Sequence, residues 1–349
     1  MSNANKLMQA ASSVSTGGAQ AIDTIFVGAF NIFTTIDVTD ASNMAVLDSL
    51  TGPSNTISLT TYRNTAGPAN GHAFMVGGST DKFVSIDVSD TSNLSISETF
   101  TDATDLDGAK ACAVDDALDL AFIGSSSDSK ILTMDISDPA NMSKTSVLSS
   151  IVHDENLVID TERSYLFGIS TSGGLASLSY NSSGVLTSQD TISLVSTGGR
   201  GLDINTSTQH VYSVGWTNDA IQSVDYSDIT NLSIADTLTD AVNLTEPVAV
   251  GVDATNNKAV VVCTDPGALV VIDISDPTNL SVNGRFATSV LTGNPYAGII
   301  CDEVNQIAYV SIYNNNIHAF DYSGSGAPNI LDTLGLTGLS DYATSIIAV

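Results

Sequence analysis

Three adjacent residues, His153, Asp154 and Glu155, form the one stretch of this sequence that sets an imidazole beside two carboxylates. Such a set could hold a metal ion or pass a proton between an acid and a base. It opens the run "HDENLVID", in a turn ahead of an apolar strand, and a solvated turn is the preferred reading. The other histidines are scattered: His72 and His210 open two similar strands, and His318 lies within another. Cys112, Cys263 and Cys301 stand singly in apolar runs, with no C-x-x-C and no zinc spacing, so they read as buried free thiols. No G-x-S-x-G, P-loop or H-E-x-x-H occurs. The sequence therefore predicts no catalytic residue, no cofactor and no metal site, in a protein that is not an enzyme.

Aspartate is the more abundant chemistry, and it recurs in a fixed phrase. The phrase appears as "TIDVTDASNM" (Asp37), "SIDVSDTSNL" (Asp87), "TMDISDPANM" (Asp135), "SVDYSDITNL" (Asp225), "VIDISDPTNL" (Asp273) and "AFDYSGSGAP" (Asp321), with a worn copy, "SLSYNSSGVL", placing Ser179 where the Asp would stand. Oxygen-rich side chains suit calcium, but D-x-[ST]-D lacks the sharp-turn Gly and the bidentate Glu of a calcium loop. A residue repeated in six of seven copies also points to architecture. Asp40, Asp90, Asp138, Asp228 and Asp276 are expected to open type I turns, accepting a backbone N–H two residues on. The earlier Asp of each pair is expected to satisfy backbone groups where the strand bends. The N-[LM]-S sequons at Asn93, Asn141, Asn231 and Asn279 recur because the turn recurs.

The elements that carry this phrase follow from its spacing. The seven anchors stand 44 to 50 residues apart and span nearly the whole chain. Each period holds four β-branched runs bounded by Asn, Asp, Gly or Pro, as in "VAVGVDA", "AVVVCT", "ALVVIDI" and "LSVNGRF". The second and third runs are apolar throughout, as strands covered on both faces are, and the fourth is more polar, as an outer edge is. Four antiparallel strands repeated radially make a β-propeller blade, and seven make a ring. The first copy lacks its first strand, while "ATSIIAV" is spare at the C-terminus. Residues Thr344–Val349 are thus expected to form the innermost strand of the blade begun by Ile25–Leu50, closing the ring.

Composition bounds the partners. Of 349 residues, 38 are acidic and 10 basic, a formal charge of −28. That balance opposes nucleic acid and anionic membrane surfaces, and it suits a salty, marine or halophilic setting. No run of 18 apolar residues is present, so no membrane insertion is expected, and the N-terminus shows no signal peptide. Aromatic residues are 6 %, with one tryptophan, Trp216, which disfavours a lectin built on stacking. Residues 1–20 lie outside the repeat: "NANKLMQAASS" has enough apolar content for about two helical turns and is followed by the flexible "SVSTGGAQ". The division expected is an arm at 1–20 and a propeller at 21–349.

The phrase "LVVIDISDPTNL" is similar to the LVIVD-repeat family of β-propellers, and the likeness runs through six copies and the worn one, from about residue 22 to the end. That resemblance implies the propeller fold, in a family of surface, adhesion and scaffold modules. The arm resembles the opening of tailed-phage virion proteins, marine ones in particular. It implies a bacteriophage virion protein, a capsid decoration or tail fibre component that binds and displays at the particle surface. Capsid or tail proteins would hold residues 1–20, and host surface glycans or proteins would meet the ring in host attachment. The rivals are a cellular adhesion or scaffold propeller, and a channel enzyme using His153, Asp154 and Glu155.

Overall fold

The computed structural model describes residues 21–29, 32–51, 56–63, 70–77, 80–127, 129–150, 156–170, 172–195, 199–292, 297–312, 315–324, 326–336 and 343–348. They form seven four-stranded antiparallel sheets, each in sequential strand order from the innermost outwards except the first. In that first sheet the innermost strand is Ala343–Ala348, followed by Thr24–Ala29, Ile32–Asp37 and Ala45–Thr51. The C-terminal strand pairs antiparallel with the N-terminal one, Ile25 opposite Ala348 and Phe26 opposite Ile347. The ring closes as the sequence predicts, with the closing strand starting one residue earlier; Val349 lies outside the described residues. We number the blades 1 to 7 from that sheet.

The apolar runs have a direct physical reason. Alternate residues of a strand point to opposite faces, and here each face meets a different blade. Ile25 and Val27 pack with Tyr309, Ile317 and Ala319 of blade 7, while Phe26 and Phe33 pack with Ala73, Met75, Val84 and Ile86 of blade 2. One such core fills each of the seven junctions between blades, the one joining blade 7 to blade 1 included. The outer strands bury little; Ala45–Thr51 is exposed at every residue but two.

Every outer strand carries a β-bulge where it pairs with the third strand, between Thr35 and Ile36 in blade 1 and at the matching place in the other six. A bulge re-aims the side chain that follows it. In five blades that side chain is a carboxylate, and it accepts a backbone N–H from the next blade. Asp48 takes Leu94 (2.8 Å), Asp190 takes Leu232 (2.7 Å), Asp236 takes Leu280 (2.7 Å), and Glu98 takes Met142. Asp332 takes Met44 (2.8 Å) and so ties blade 7 to blade 1. The sixth junction replaces the latch with a close approach: a Cβ on Gly284 would come within 2.1 Å of the Gly326 carbonyl oxygen.

Candidate functional site

The aspartates of the phrase do structural work. Asp37 Oδ1 accepts from the Thr39 N–H (2.9 Å) and hydroxyl (2.7 Å), and Asp87, Asp135, Asp225, Asp273 and Asp321 accept the equivalent N–H two residues on. Asp40, Asp90, Asp138, Asp228 and Asp276 do the same for their own turns. The hydroxyl and N–H of Ser42, Ser92, Thr230 and Thr278 hold the carboxyls of Asp40, Asp90, Asp228 and Asp276 below the usual carboxylate range.

A second set of carboxylates, at the ends of innermost strands, was not singled out from the sequence. Asp115, Asp160 and Asp253 are buried, and each accepts a tyrosine hydroxyl from the following blade: Tyr180 (2.8 Å), Tyr226 (2.9 Å) and Tyr322 (2.9 Å). Burial and these carboxylates push the three phenols upward, so they remain donors. Where the inner residue is Asn205, the tyrosine position of the next blade holds Ile274. Asp302 faces Val38 instead of a tyrosine and takes the backbone N–H of Ile22 (3.1 Å), fixing the start of blade 1.

The remaining sequence candidates do not converge. His153, Asp154 and Glu155 lie outside the described residues; the chain resumes at Asn156, the first residue of the innermost strand of blade 4. His72 bonds Ser97 (3.2 Å), His210 the Thr208 carbonyl (2.7 Å) and His318 Thr333 (2.9 Å), each on a different blade. Burial pushes His318 down to about 4, so it is neutral in ordinary conditions. Cys112 and Cys263 are buried free thiols, raised by that burial; Cys301 is free and partly exposed. Among the described residues, no group of three His, Cys, Asp or Glu side chains is spaced to hold a metal ion. No helix among them is long and apolar enough to cross a membrane.

Chemistry gathers instead between blades 5 and 6. A pocket of about 440 Å³ is lined by Trp216, Thr217, Asp219, Thr245, Glu246 and Asp265. Three connections build it: the turn after His210–Gly215, the turn after Lys258–Thr264, and the link that enters the innermost strand Pro247–Asp253. Glu246 immediately precedes that innermost strand. Asp219 Oδ1 accepts the Glu246 N–H (3.1 Å), and the Glu246 carbonyl accepts the Thr264 N–H (3.2 Å). Burial, then the charges of Asp265 and Asp219, hold the Glu246 carboxyl above its ordinary value.

The same loop frame occurs between blades 2 and 3, where it serves as an internal control. The links "TDATDLDG" and "TDAVNLTE" each fold back on their first Asp: Leu106 N–H reaches Asp102 (2.9 Å), and Leu244 N–H reaches Asp240 (2.8 Å). The Ser126 N–H bonds the Gly108 carbonyl (3.1 Å) as Thr264 bonds Glu246. Gly108 has φ +70° and Glu246 φ +47°, the left-handed region that favours glycine. By the same alignment Trp216 stands where the sequence has Gly78, and Asp265 where it has Ser127. The frame folds without the tryptophan and without the two acids. Counting back seven residues from Asp115, Asp160 and Asp253 reaches Gly108, His153 and Glu246. In the sequence, His153 thus holds the same position before its inner carboxylate as Glu246, two blades earlier.

The ring, its seven junctions and its terminal closure define a seven-bladed β-propeller, all-β with four antiparallel strands per blade. Within that class, the LVIVD repeat profile matches residues 261–288. No curated protein sequence matches the chain. Among solved structures, a Bacteroides fragilis protein provisionally assigned as a 6-phosphogluconolactonase superposes with a TM-score of 0.75 at 12% identity, over 96% of this chain and 99% of that one. The periplasmic gluconolactonase of Pseudomonas aeruginosa gives 0.70 at 14% identity, over 92% and 96%. A Desulfotomaculum acetoxidans protein of unknown function gives 0.73 at 10%, over 93% and 97%. The first two correct one sequence expectation. That this chain is not an enzyme rested on the lack of familiar motifs in a repeat protein, and propellers of this same architecture are named as lactonases.

Proposed function

We propose that this chain is a ligand-recognition propeller displayed on a virion, held to capsid or tail proteins through residues 1–20. Its loops meet surface glycans or proteins of the host. The observation that carries the recognition role is the contrast inside the ring. The repeated carboxylates are engaged by backbone groups of their own turns or of the next blade, whereas one frame, between blades 5 and 6, carries Trp216, Glu246 and Asp265 beyond what folding needs. The attachment role is supported by the sequence of residues 1–20, which stands outside the repeat. The high negative charge keeps such particles apart and soluble in salt. A cellular adhesion or scaffold propeller would use the same ring without a particle.

The test is incorporation. Full-length chain and a form lacking residues 1–20 are expressed during assembly, and purified particles are probed for each. Full-length chain in the particle and the truncated form in the supernatant is the expected result. Equal incorporation refutes attachment through the arm, and absence of both refutes the virion reading. Genes for capsid, portal or tail beside this one favour the particle; a secretion cassette favours the cellular rival.

A second reading is favoured by Glu246 itself. A carboxyl raised by burial and by the charges of Asp265 and Asp219 is a candidate general acid or base, and two neighbours of this fold are named as sugar lactonases. Lactone hydrolysis would add water across the ring ester and open it to a hydroxy acid. Release of acid from glucono-δ-lactone above the spontaneous rate, lost in Glu246→Gln, is the outcome this reading requires; a rate equal to buffer alone removes it.

A further inference from the structure

We propose that the pocket between blades 5 and 6 binds a saccharide bearing a free ammonium group, an amino sugar of a surface polysaccharide. This rests on the recognition half of the reading above and not on the attachment half. The cavity, about 440 Å³, is within the range of small-ligand sites and large enough for a sugar ring. Its charge is one-sided: Asp219, Glu246 and Asp265 line it, and no Lys or Arg does. An ammonium group offers three donors and a positive charge to such a set. A bare divalent ion fits poorly, because the described carboxylates are not spaced to coordinate one.

Trp216 supplies the surface for the sugar's body. It lines the pocket and packs against the core shared by blades 6 and 7, which includes Val248, Ala249 and Leu291. A fixed aromatic face attracts both sugar C–H groups and a cation. Thr217 and Thr245 add hydroxyls, and Thr245 Oγ1 has no hydrogen-bond partner among the described residues. The sister frame places Gly78, Gly108 and Ser127 at the positions of Trp216, Glu246 and Asp265. The sister frame also has Asp81 where this one has Asp219 and Asp107 where it has Thr245, so this copy gains an aromatic surface and one net negative charge.

The experiment uses the single tryptophan of the chain, whose emission reports this pocket alone. Full-length protein is titrated with glucosamine, N-acetylglucosamine and spermidine, with saturation-transfer NMR on each sugar as an emission-independent readout. Expected is saturable glucosamine binding, with N-acetylglucosamine at least about tenfold weaker, the loss of one charge-assisted contact. Asp265→Asn and Glu246→Gly should each weaken glucosamine about tenfold; the glycine variant restores the sister residue and so keeps the frame folded. Equal binding of the two sugars overturns charge recognition. Spermidine binding as well as glucosamine overturns the saccharide. No response to glucosamine in either readout overturns the site, while the particle-incorporation result stands apart from all three.

Discussion

The latch between blade 7 and blade 1 is the most exacting place to test how the ring holds. Asp332 Oδ2 accepts the Met44 N–H at 2.8 Å, and Met44 is 5% exposed. In Asp332→Ala the bond is lost, and a buried N–H is left with no acceptor. That combination costs about 2 kcal/mol, since a hydrogen bond to a charged group and an orphaned buried donor both fall in the 1–3 kcal/mol range. Asp332→Asn keeps an amide oxygen in the same place and should cost less than about 1 kcal/mol. Unfolding entropy of roughly 2.1 cal/mol/K per residue gives about 0.7 kcal/mol/K for the chain, so the alanine variant should melt about 3 °C lower and the asparagine variant about 1 °C lower.

The control is Asp236→Ala, which removes the same bond to Leu280 at an ordinary junction. Because the two latches share no partner, the double variant should lose the sum, about 6 °C. Calorimetry on the four proteins decides it. An Asp332→Ala protein that melts with the wild type refutes the latch. An Asp332→Asn as damaging as the alanine shows that charge, not acceptor geometry, is what matters. A seam loss several times the Asp236 loss shows that terminal closure limits the ring.

Deletion of residues 343–349 removes the innermost strand of blade 1 and its pairing with Thr24–Ala29, and it should abolish the cooperative melt seen by circular dichroism. The pair Asn205→Asp with Ile274→Tyr rebuilds the missing inner carboxylate–tyrosine contact between blades 5 and 6; a double-mutant cycle should give a favourable coupling of about 1 kcal/mol, whereas either change alone destabilises. Glu246→Gly should raise the melting temperature at pH 7 by about 1–2 °C, through relief of left-handed backbone and of repulsion from Asp219 and Asp265, while ligand binding falls. Its sign with pH is opposite to that of the turn aspartates. Asp40, Asp90, Asp228 and Asp276 are lowered in the fold, so they stabilise above the unfolded carboxylate pKa and lose that contribution as pH falls through their folded values. Glu246 is raised, so its contribution is full below the unfolded value and lost as pH rises through the folded one; the melting gain of Glu246→Gly over wild type should therefore shrink towards pH 4.

Most of the scaffold was readable because its signals are local. Asp40 and Ser42, or Asp276 and Thr278, sit two residues apart and need only their own turn. The spare strand at the C-terminus showed itself by matching first strands elsewhere. The latches were also present in the sequence, as an acid four residues beyond the buried Met44, Leu94, Leu186, Leu232 and Pro328, which lead to Asp48, Glu98, Asp190, Asp236 and Asp332. Their work is invisible there because the accepted N–H belongs to the next repeat, some 46 residues away in the case of Asp48 and Leu94. The pocket was harder still. Trp216, Glu246 and Asp265 come from separate connections, and no spacing rule joins them. Comparing the two "TDA" links would have exposed Glu246, since an acid in place of a glycine that must turn left-handed has no local reason to be there.

Departures from a repeat come in two kinds, and the distinction locates function in a ring of otherwise similar parts. Where blade 6 lacks a latch acid, Gly284 makes room for Gly326 of blade 7. Where the inner carboxylate becomes Asn205, the facing tyrosine becomes Ile274. In these pairs one change answers the other, and the junction remains filled. Glu246 is not answered in this way. It takes a backbone conformation that glycine adopts in the sister loop, and its partly buried carboxyl stands beside two like charges rather than a cation. Strain and repulsion therefore add at one point, beside the only tryptophan of the chain. A ligand that brings positive charge into the pocket would offset the repulsion, which is why binding, more than any further folding role, accounts for the residues that stand there.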